Sequence, residues 1–321
     1  MAVVDSTQRA LLIVFTVGSL LAMSIAALSM WISTDQTLKP LQTATQVALH
    51  ITHADDLSRR IPYRGPPGDE VGQLIRAFNF TLSRLENQFH MQRRFIADVG
   101  HELRTPLTVV KGNVGLMRRI GQTDRESLDS IENEVDRLTR LVGDLLLLAQ
   151  AEAGKIQLNR SIVELDTLVL EVLSEMRVLA RDKLTLRLGD IDQVLVCGDR
   201  DRLKQVLVNL VGNAIQYTPA RGEVLVGLGK ENNQARLTVS DNGPGIPAEN
   251  LPHIFERFFR GEKSRTRSGQ DGKGFGLGLS IAYWIVRNHN GWIEVQSKMG
   301  VGTTFCVWLP LAERGCSAEN P

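Results

Sequence analysis

From Asn87 to Leu148 the chain repeats apolar residues at three- and four-residue steps, in two runs separated by Gly121-Gln-Thr-Asp. The first carries Phe89, Phe95, Ile96, Val99, Leu103, Leu107, Val110, Val114 and Met117. The second carries Leu128, Ile131, Val135, Leu138, Leu141, Val142, Leu145 and Leu148. This is the period of a helix with one apolar stripe. Two such helices in a hairpin cannot bury both stripes, whereas two copies can, as a four-helix bundle. The burial argument therefore leads to a homodimer. Pro106 falls inside the first run, where it removes a backbone N–H and is expected to bend or loosen the helix.

Upstream, Ala10 to Ile32 is free of charge. At about 1.5 Å per residue it reaches roughly 34 Å as a helix, enough to cross a bilayer core. Trp31 stands at one end, where an interfacial aromatic belongs. The alternatives are a signal peptide or a buried helix; the stretch is long for the first and lacks a small-residue cleavage site. Lys39, Arg59, Arg60 and Arg64 follow the span and only Arg9 precedes it, which orients the C-terminal side to the cytoplasm. Leu38, Leu41, Ala48 and Leu49 share one face of a short amphipathic helix. A connector, Ile61-Pro-Tyr-Arg-Gly-Pro-Pro-Gly, precedes a second helix that Asp69 would cap, with Glu70 in its first turn. A plain juxtamembrane coiled coil would share much of this pattern.

After Gly154 short β-rich runs alternate with helical ones. Strands are expected near Leu184–Leu188, Gln193–Cys197, Glu223–Leu228, Ala235–Ser240, Trp292–Ser297 and Thr303–Leu309, with helices at 164–182, 200–216 and 275–290. That mixture predicts an α/β sandwich, one sheet with helices on one face. Cys197, Cys306 and Cys316 are far apart in sequence and show no C-x-x-C spacing, so neither a zinc site nor a disulfide is expected. The 37 Lys and Arg balance 36 Asp and Glu, which argues against a nucleic-acid binder. The tail from Glu313 is expected to be disordered.

Chemistry concentrates in a few boxes. His101 lies within Asp98-Val-Gly-His-Glu-Leu-Arg-Thr-Pro-Leu-Thr108 and falls off the apolar stripe, so it should face solvent. A neutral imidazole is a competent nucleophile near pH 7. Thr105 lies one turn on, on the same face. Asn209 and Asn213 sit at i and i+4 of a helix whose other side is apolar. Asp241-Asn-Gly-Pro-Gly follows a β-run; a carboxylate at a strand end can accept from the adenine amino group, and Gly243 and Gly245 permit tight turns. Ile254-Phe-Glu-Arg-Phe-Phe-Arg-Gly leads into a polar, basic stretch suited to a lid. Gly274-Phe-Gly-Leu-Gly-Leu-Ser280 then opens a helix, where free N–H groups can cradle phosphates.

The boxes, in this order, resemble the membrane-bound sensor histidine kinases of bacterial two-component systems, over roughly residues 38 to 311. Pro40-Leu41 and Asp69-Glu-Val-Gly72 resemble a HAMP relay module, and the C-terminal boxes resemble the ATP-binding fold shared with gyrase-type ATPases and Hsp90-type chaperones. The implied organisation is multidomain: a tail (1–9), a transmembrane helix (10–32), HAMP helices (33–86), a dimeric phosphoacceptor bundle with two helices per chain (87–153), an α/β sandwich ATPase domain (157–312) and a tail (313–321). The resemblance implies that His101 is phosphorylated from ATP, with Glu102 orienting or deprotonating its ring and Thr105 placing water for dephosphorylation of a partner. Asn213 would ligate Mg²⁺ and Asn209 would support it. Tyr217 and Thr303 would line the base pocket with Asp241, Gly243 and Gly245. Arg257, Lys273, Gly274, Gly276, Leu277 and Gly278 would serve the phosphates, with Arg257 and Arg260 reaching either phosphates or the bundle. Gly100, often serine, and Gln216, often basic, depart from the family. The implied partners are a second copy, the membrane and a response-regulator receiver domain, at the bacterial inner membrane with the kinase domains cytoplasmic. Family members commonly carry a first span and an external sensor; their absence here means either input through the membrane or a partner, or a truncated start. A chaperone-like ATPase, which would need a C-terminal transducer, and a noncatalytic nucleotide-binding scaffold are the rival readings.

Overall fold

The computed structural model describes residues 12–13, 15–31, 45–46, 57–63, 70–121, 124–180, 183–261, 274–312 and 316. They fall into two compact units, Met1–Ala97 and Asp98–Pro321. In the first, residues 15–31 are helical with exposed apolar side chains such as Leu20 and Trp31. Among the described residues no helix is both long and apolar enough to cross a membrane. Ala10, Leu11, Val14 and Ile32 of the expected span lie outside the described residues, as does the expected cap Asp69. Of the first amphipathic helix only Thr45 and Gln46 are described, both helical.

Helix α1, Glu70–Ile120, starts in this first unit and ends in the second. Its early turns bury Ile75 and Leu82, and the connector buries Leu57 and Ile61. Asn79 fixes the connector: its Oδ1 accepts from the Ile61 N–H and its Nδ2 donates to the Ile61 carbonyl, each at 3.0 Å. The chain remains helical through Pro106, which is buried. Gly121, at φ 71°, ends the helix, and its N–H donates to the Met117 carbonyl at 2.9 Å. Helix α2, Arg125–Glu152, begins at Asp124, whose side chain accepts from the Glu126 and Ser127 N–H groups. Asn113 of α1 donates to Ser130 Oγ of α2 at 2.9 Å across the hairpin.

The remainder is the expected α/β sandwich. Its order is β1 (Ser161–Glu164), α3 (Leu165–Ala180), β2 (Thr185–Ile191), β3 (Leu195–Gly198), α4 (Arg200–Tyr217), β4 (Glu223–Glu231), β5 (Gln234–Asp241), α5 (Gly278–Asn288), β6 (Trp292–Lys298) and β7 (Gly302–Pro310). The main sheet runs β2-β4-β5-β7-β6, with only β2–β4 parallel. Alternation sends Val224, Val226 and Leu228, then Ala235, Leu237 and Val239, into the core. Leu207 and Leu210 of α4 and Ile281 and Ile285 of α5 meet them there. Asn232 and Asn233, both at positive φ, turn β4 into β5. The short strand β1, not anticipated, pairs with β3. Helix α5 begins at Gly278 rather than 275 because Gly276 takes φ 75°.

One expectation is overturned. Cys197 and Cys316 form a disulfide across 119 residues, with Cα atoms 5.7 Å apart. Sequence spacing missed it because the pairing is tertiary. After β7 the chain turns back along β3, where Leu311 bridges Val196 and the Ala312 N–H donates to the Leu195 carbonyl at 2.8 Å. Apart from Cys316, the tail from Glu313 lies outside the described residues.

Candidate functional site

His101 is exposed on α1, as its position off the apolar stripe requires. Thr105, also exposed, donates to the His101 carbonyl over a long 3.5 Å. Glu102 is half-buried, and its carboxylate is met from two sides. Arg260 Nη1, from the foot of the expected lid, lies 3.6 Å from Oε1, and Arg137 Nη2 of α2 lies 4.0 Å from Oε2. Arg260 thus reaches the helical hairpin, one of its two expected destinations. Arg257 is half-buried in the same segment.

Helix α4 is placed by its buried face, Leu203, Val206, Leu207, Leu210 and Val211, and by its Asp199 cap. This leaves Asn209 and Asn213 together on the other side. Asn209 Nδ2 donates to the Gly278 carbonyl at 3.0 Å, joining α4 to the start of α5. A Cβ at Gly278 would come into contact with the Asn209 amide, at 3.4 Å. Among the described residues no side chain caps the N-terminal N–H groups of α5, which could receive an anion. Leu277, expected among the phosphate-binding residues, has its side chain buried in the core, so only its backbone can serve. At the hinge before it, Gly276 lies so close to the Phe258–Phe259 backbone that a Cβ would meet the Phe259 carbonyl at 2.8 Å. The Phe258 N–H donates to the Gly276 carbonyl at 3.0 Å, stitching the two feet of the expected lid together. Lys273 lies outside the described residues.

Asp241 ends β5 opposite Thr303 of β7. Burial raises its carboxyl above the usual range, against the lowering effect of hydrogen bonds from the Gly243 and Thr303 backbones. Gly243 N–H donates to its Oδ1 at 2.9 Å. Gly245, at φ 74°, packs against Lys298 so closely that a side chain would strike the backbone. Thr303 is buried, with its hydroxyl 2.9 Å from that of Ser297. A cavity of about 530 Å³ opens at this end of the sheet, lined by Glu223, Leu225, Ser240, Asp241, Gln296 and Thr303 among others; Asn209, Asn213, Tyr217 and Gly243 do not line it. Tyr217 is exposed at the end of α4.

Two residues here were not singled out from the sequence. Thr218 is buried beside Gly243, and its hydroxyl has no partner. Its position straight after Tyr217 was the available signal. Lys183 donates its ammonium to the Ile215 and Gln216 carbonyls at 2.6 and 2.8 Å. Positive charge thus returns to the end of α4 from another element, although Gln216 itself is neutral. His289, by contrast, is structural. It is buried, accepts from the Asp199 N–H at Nε2 (2.9 Å), and has Nδ1 2.8 Å from the Ile285 carbonyl.

Three family models match the chain: HAMP domain at residues 34–87, His Kinase A (phospho-acceptor) domain at 91–154, and histidine kinase-, DNA gyrase B- and HSP90-like ATPase at 198–313. The probable sensor histidine kinase TcrY of Mycobacterium tuberculosis is 36% identical over 325 residues, covering 96% of this chain and 67% of that protein. The signal transduction histidine-protein kinase BaeS of Escherichia coli is 35% identical over 301 residues, covering 93% of this chain and 63% of its own length. The chain thus spans about two thirds of these relatives. Among solved structures, Acinetobacter baumannii histidine kinase AdeS superposes with a TM-score of 0.55 at 28% identity, covering 66% of this chain and 98% of that one. Histidine kinase ThkA in complex with response regulator protein TrrA gives 0.53 at 26% identity, covering 76% and 68%. Full-length ShkA in complex with AMPPNP gives 0.52 at 29%, covering 68% and 46%. With an exposed acceptor histidine, an asparagine-bearing helix facing an uncapped helix start, and these relatives, the chain belongs to the sensor histidine kinases of bacterial two-component systems.

Proposed function

We propose that this chain transfers the terminal phosphoryl group of ATP to a ring nitrogen of His101 and passes it to an aspartate of a response regulator. The observation that carries this is the meeting of Arg260 with Glu102. It brings the nucleotide-binding sandwich against the helix turn that presents His101. Positioning of donor and acceptor supplies much of the rate in such transfers. Asp241 and the orphaned Thr218 hydroxyl would read the adenine, with Tyr217 and Thr303 beside it. Gly274, Gly276, Leu277 and Gly278 would offer backbone N–H groups to the phosphates, and Lys273 and Arg257 would add charge. ShkA, solved with AMPPNP, supports nucleotide binding, and ThkA, solved with TrrA, supports a regulator as partner.

The residues fit Mg²⁺ arriving with the nucleotide. No cluster of three acidic, histidine or cysteine side chains suited to a metal occurs among the described residues. The Asn209 amide nitrogen is engaged by Gly278, which leaves its oxygen available next to Asn213. Asn213 would hold the ion through its amide oxygen, with waters and phosphate completing the shell. The ion would neutralise phosphate charge.

Glu102, whose carboxylate faces Arg260 and Arg137, would have to turn from them to orient or deprotonate the His101 ring, and Thr105 would support dephosphorylation of the regulator. The exposed apolar residues Leu107 and Val114 on α1, and Leu128, Val135 and Val142 on α2, recur at seven-residue steps. A second copy would cover them. The uncharged segment Ala10–Ile32 would anchor the chain in the bacterial inner membrane with its kinase domains cytoplasmic. The full chain in detergent, incubated with labelled ATP, should acquire an acid-labile, base-stable label that is lost in His101→Gln. Equal label in that variant would refute the assignment.

A further inference from the structure

Successive side chains on an α-helix diverge by about 100°, so Glu102 does not share a face with His101. Its carboxylate turns toward two guanidinium groups from different elements, Arg260 below the lid and Arg137 of α2. Arg137 does more than face Glu102. Its Nη1 lies 3.5 Å from Glu134 Oε2, and its guanidinium carbon stands 4.8 Å from the ring centroid of Phe275. Phe275 is buried and lies three residues before Gly278, where α5 begins. One planar cation therefore touches the acid next to the acceptor histidine and the segment leading to the phosphate-binding helix start. Its Nε is enclosed with no hydrogen-bond partner. A buried donor left unpaired is unfavourable, and a partly exposed ion pair contributes little stability. Simple stabilisation is a poor account of this arginine.

We infer that Arg137 is a positioning residue: stacked on Phe275 and facing Glu102, it seats the nucleotide-binding domain on the helix that presents His101. The inference rests on the reading of His101 as acceptor. Arg137, Glu102, Arg260 and Phe275 come from three separate stretches of sequence and meet within one compact unit. A guanidinium is suited to this place because it can pair with a carboxylate at its edge while its face lies on an aromatic ring. Such seating acts on the reaction step and not on the grip of the sandwich on nucleotide.

The test uses the full chain as a dimer in detergent, with initial rates of His101 labelling measured over a range of ATP concentrations. Arg137→Ala should lower kcat by about ten-fold or more while leaving the KM for ATP within about two-fold. Arg137→Lys, which keeps the charge but not the flat stacking face, should recover part of the rate. A kcat for Arg137→Ala within about two-fold of wild type, or a loss explained by KM alone, would each overturn the inference while leaving the kinase reading in place. An unlabelled wild-type protein would instead remove the kinase reading, and this inference with it.

Discussion

The helical hairpin and the nucleotide-binding sandwich bury their apolar residues in opposite ways. In the sandwich, Val169, Val172, Leu210, Ile281 and Ile285 are almost wholly enclosed by their own chain. In the hairpin, Leu107 stays 54% exposed and Val142 56%, at positions where the helical period calls for burial. One region completes its core alone. The other presents half of a core, and it is this unfinished region that carries His101. The difference teaches that the reactive histidine sits on a surface designed to be assembled, while the pocket sits on a part that can be rigid by itself.

The contrast can be broken most directly at the seam. Val135→Lys together with Val142→Lys should convert the dimer to monomer in sedimentation, with nucleotide binding retained; a dimer that persists would refute the seam. A core change in the sandwich should do the reverse. Leu210→Ala is expected to lose about 2–5 kcal/mol on urea unfolding of the sandwich, without altering dimerisation. Asp241→Asn should weaken ATP binding by roughly ten- to a hundred-fold, the worth of a hydrogen bond to a charged group, measured by titration with a fluorescent nucleotide. Because burial disfavours the Asp241 carboxylate, the neutral amide should leave the sandwich at least as stable at neutral pH.

The smallest effects concern pH and have opposite signs in the two regions. Burial lowers the folded pKa of His289 below its usual 6.5. Its contribution to the sandwich is therefore complete above 6.5 and lost as pH falls through the depressed value, because the unfolded chain takes the proton first. Asp144 of α2 is pushed from 3.8 up to about 6, first by burial and against the pull of Arg140. Its contribution is complete below 3.8 and lost as pH rises through about 6. Separate melting curves for the two regions between these limits should therefore drift in opposite directions. His289→Gln should flatten the acid limb for the sandwich, and Asp144→Asn should flatten the drift for the hairpin.

Much of the site was readable in one dimension because its parts are local. Asn209 and Asn213 share a face by helical period alone, and Asp241-Asn-Gly-Pro-Gly needs its glycines for turns that span a few residues. Gly276 is the same kind of case, since its positive φ is a property of its own backbone. The strand alternation of β4 and β5 and the stripes of α1 and α2 likewise announce themselves through period. At Pro106 α1 continues, as a helix that is bent or loosened there still can, and the proline is buried.

What the sequence determined by itself was therefore whatever depends on neighbours along the chain: helix faces, strand alternation, turns, the exposed histidine and the order of the boxes. Only the tertiary structure decided which distant residues meet. It joined Cys197 to Cys316, brought Lys183 to the end of α4, and set Arg260 against Glu102. It also laid Arg137 on Phe275. Those pairings are set by how packed elements approach one another, and that approach is a property of the whole core, carried by no single stretch of residues.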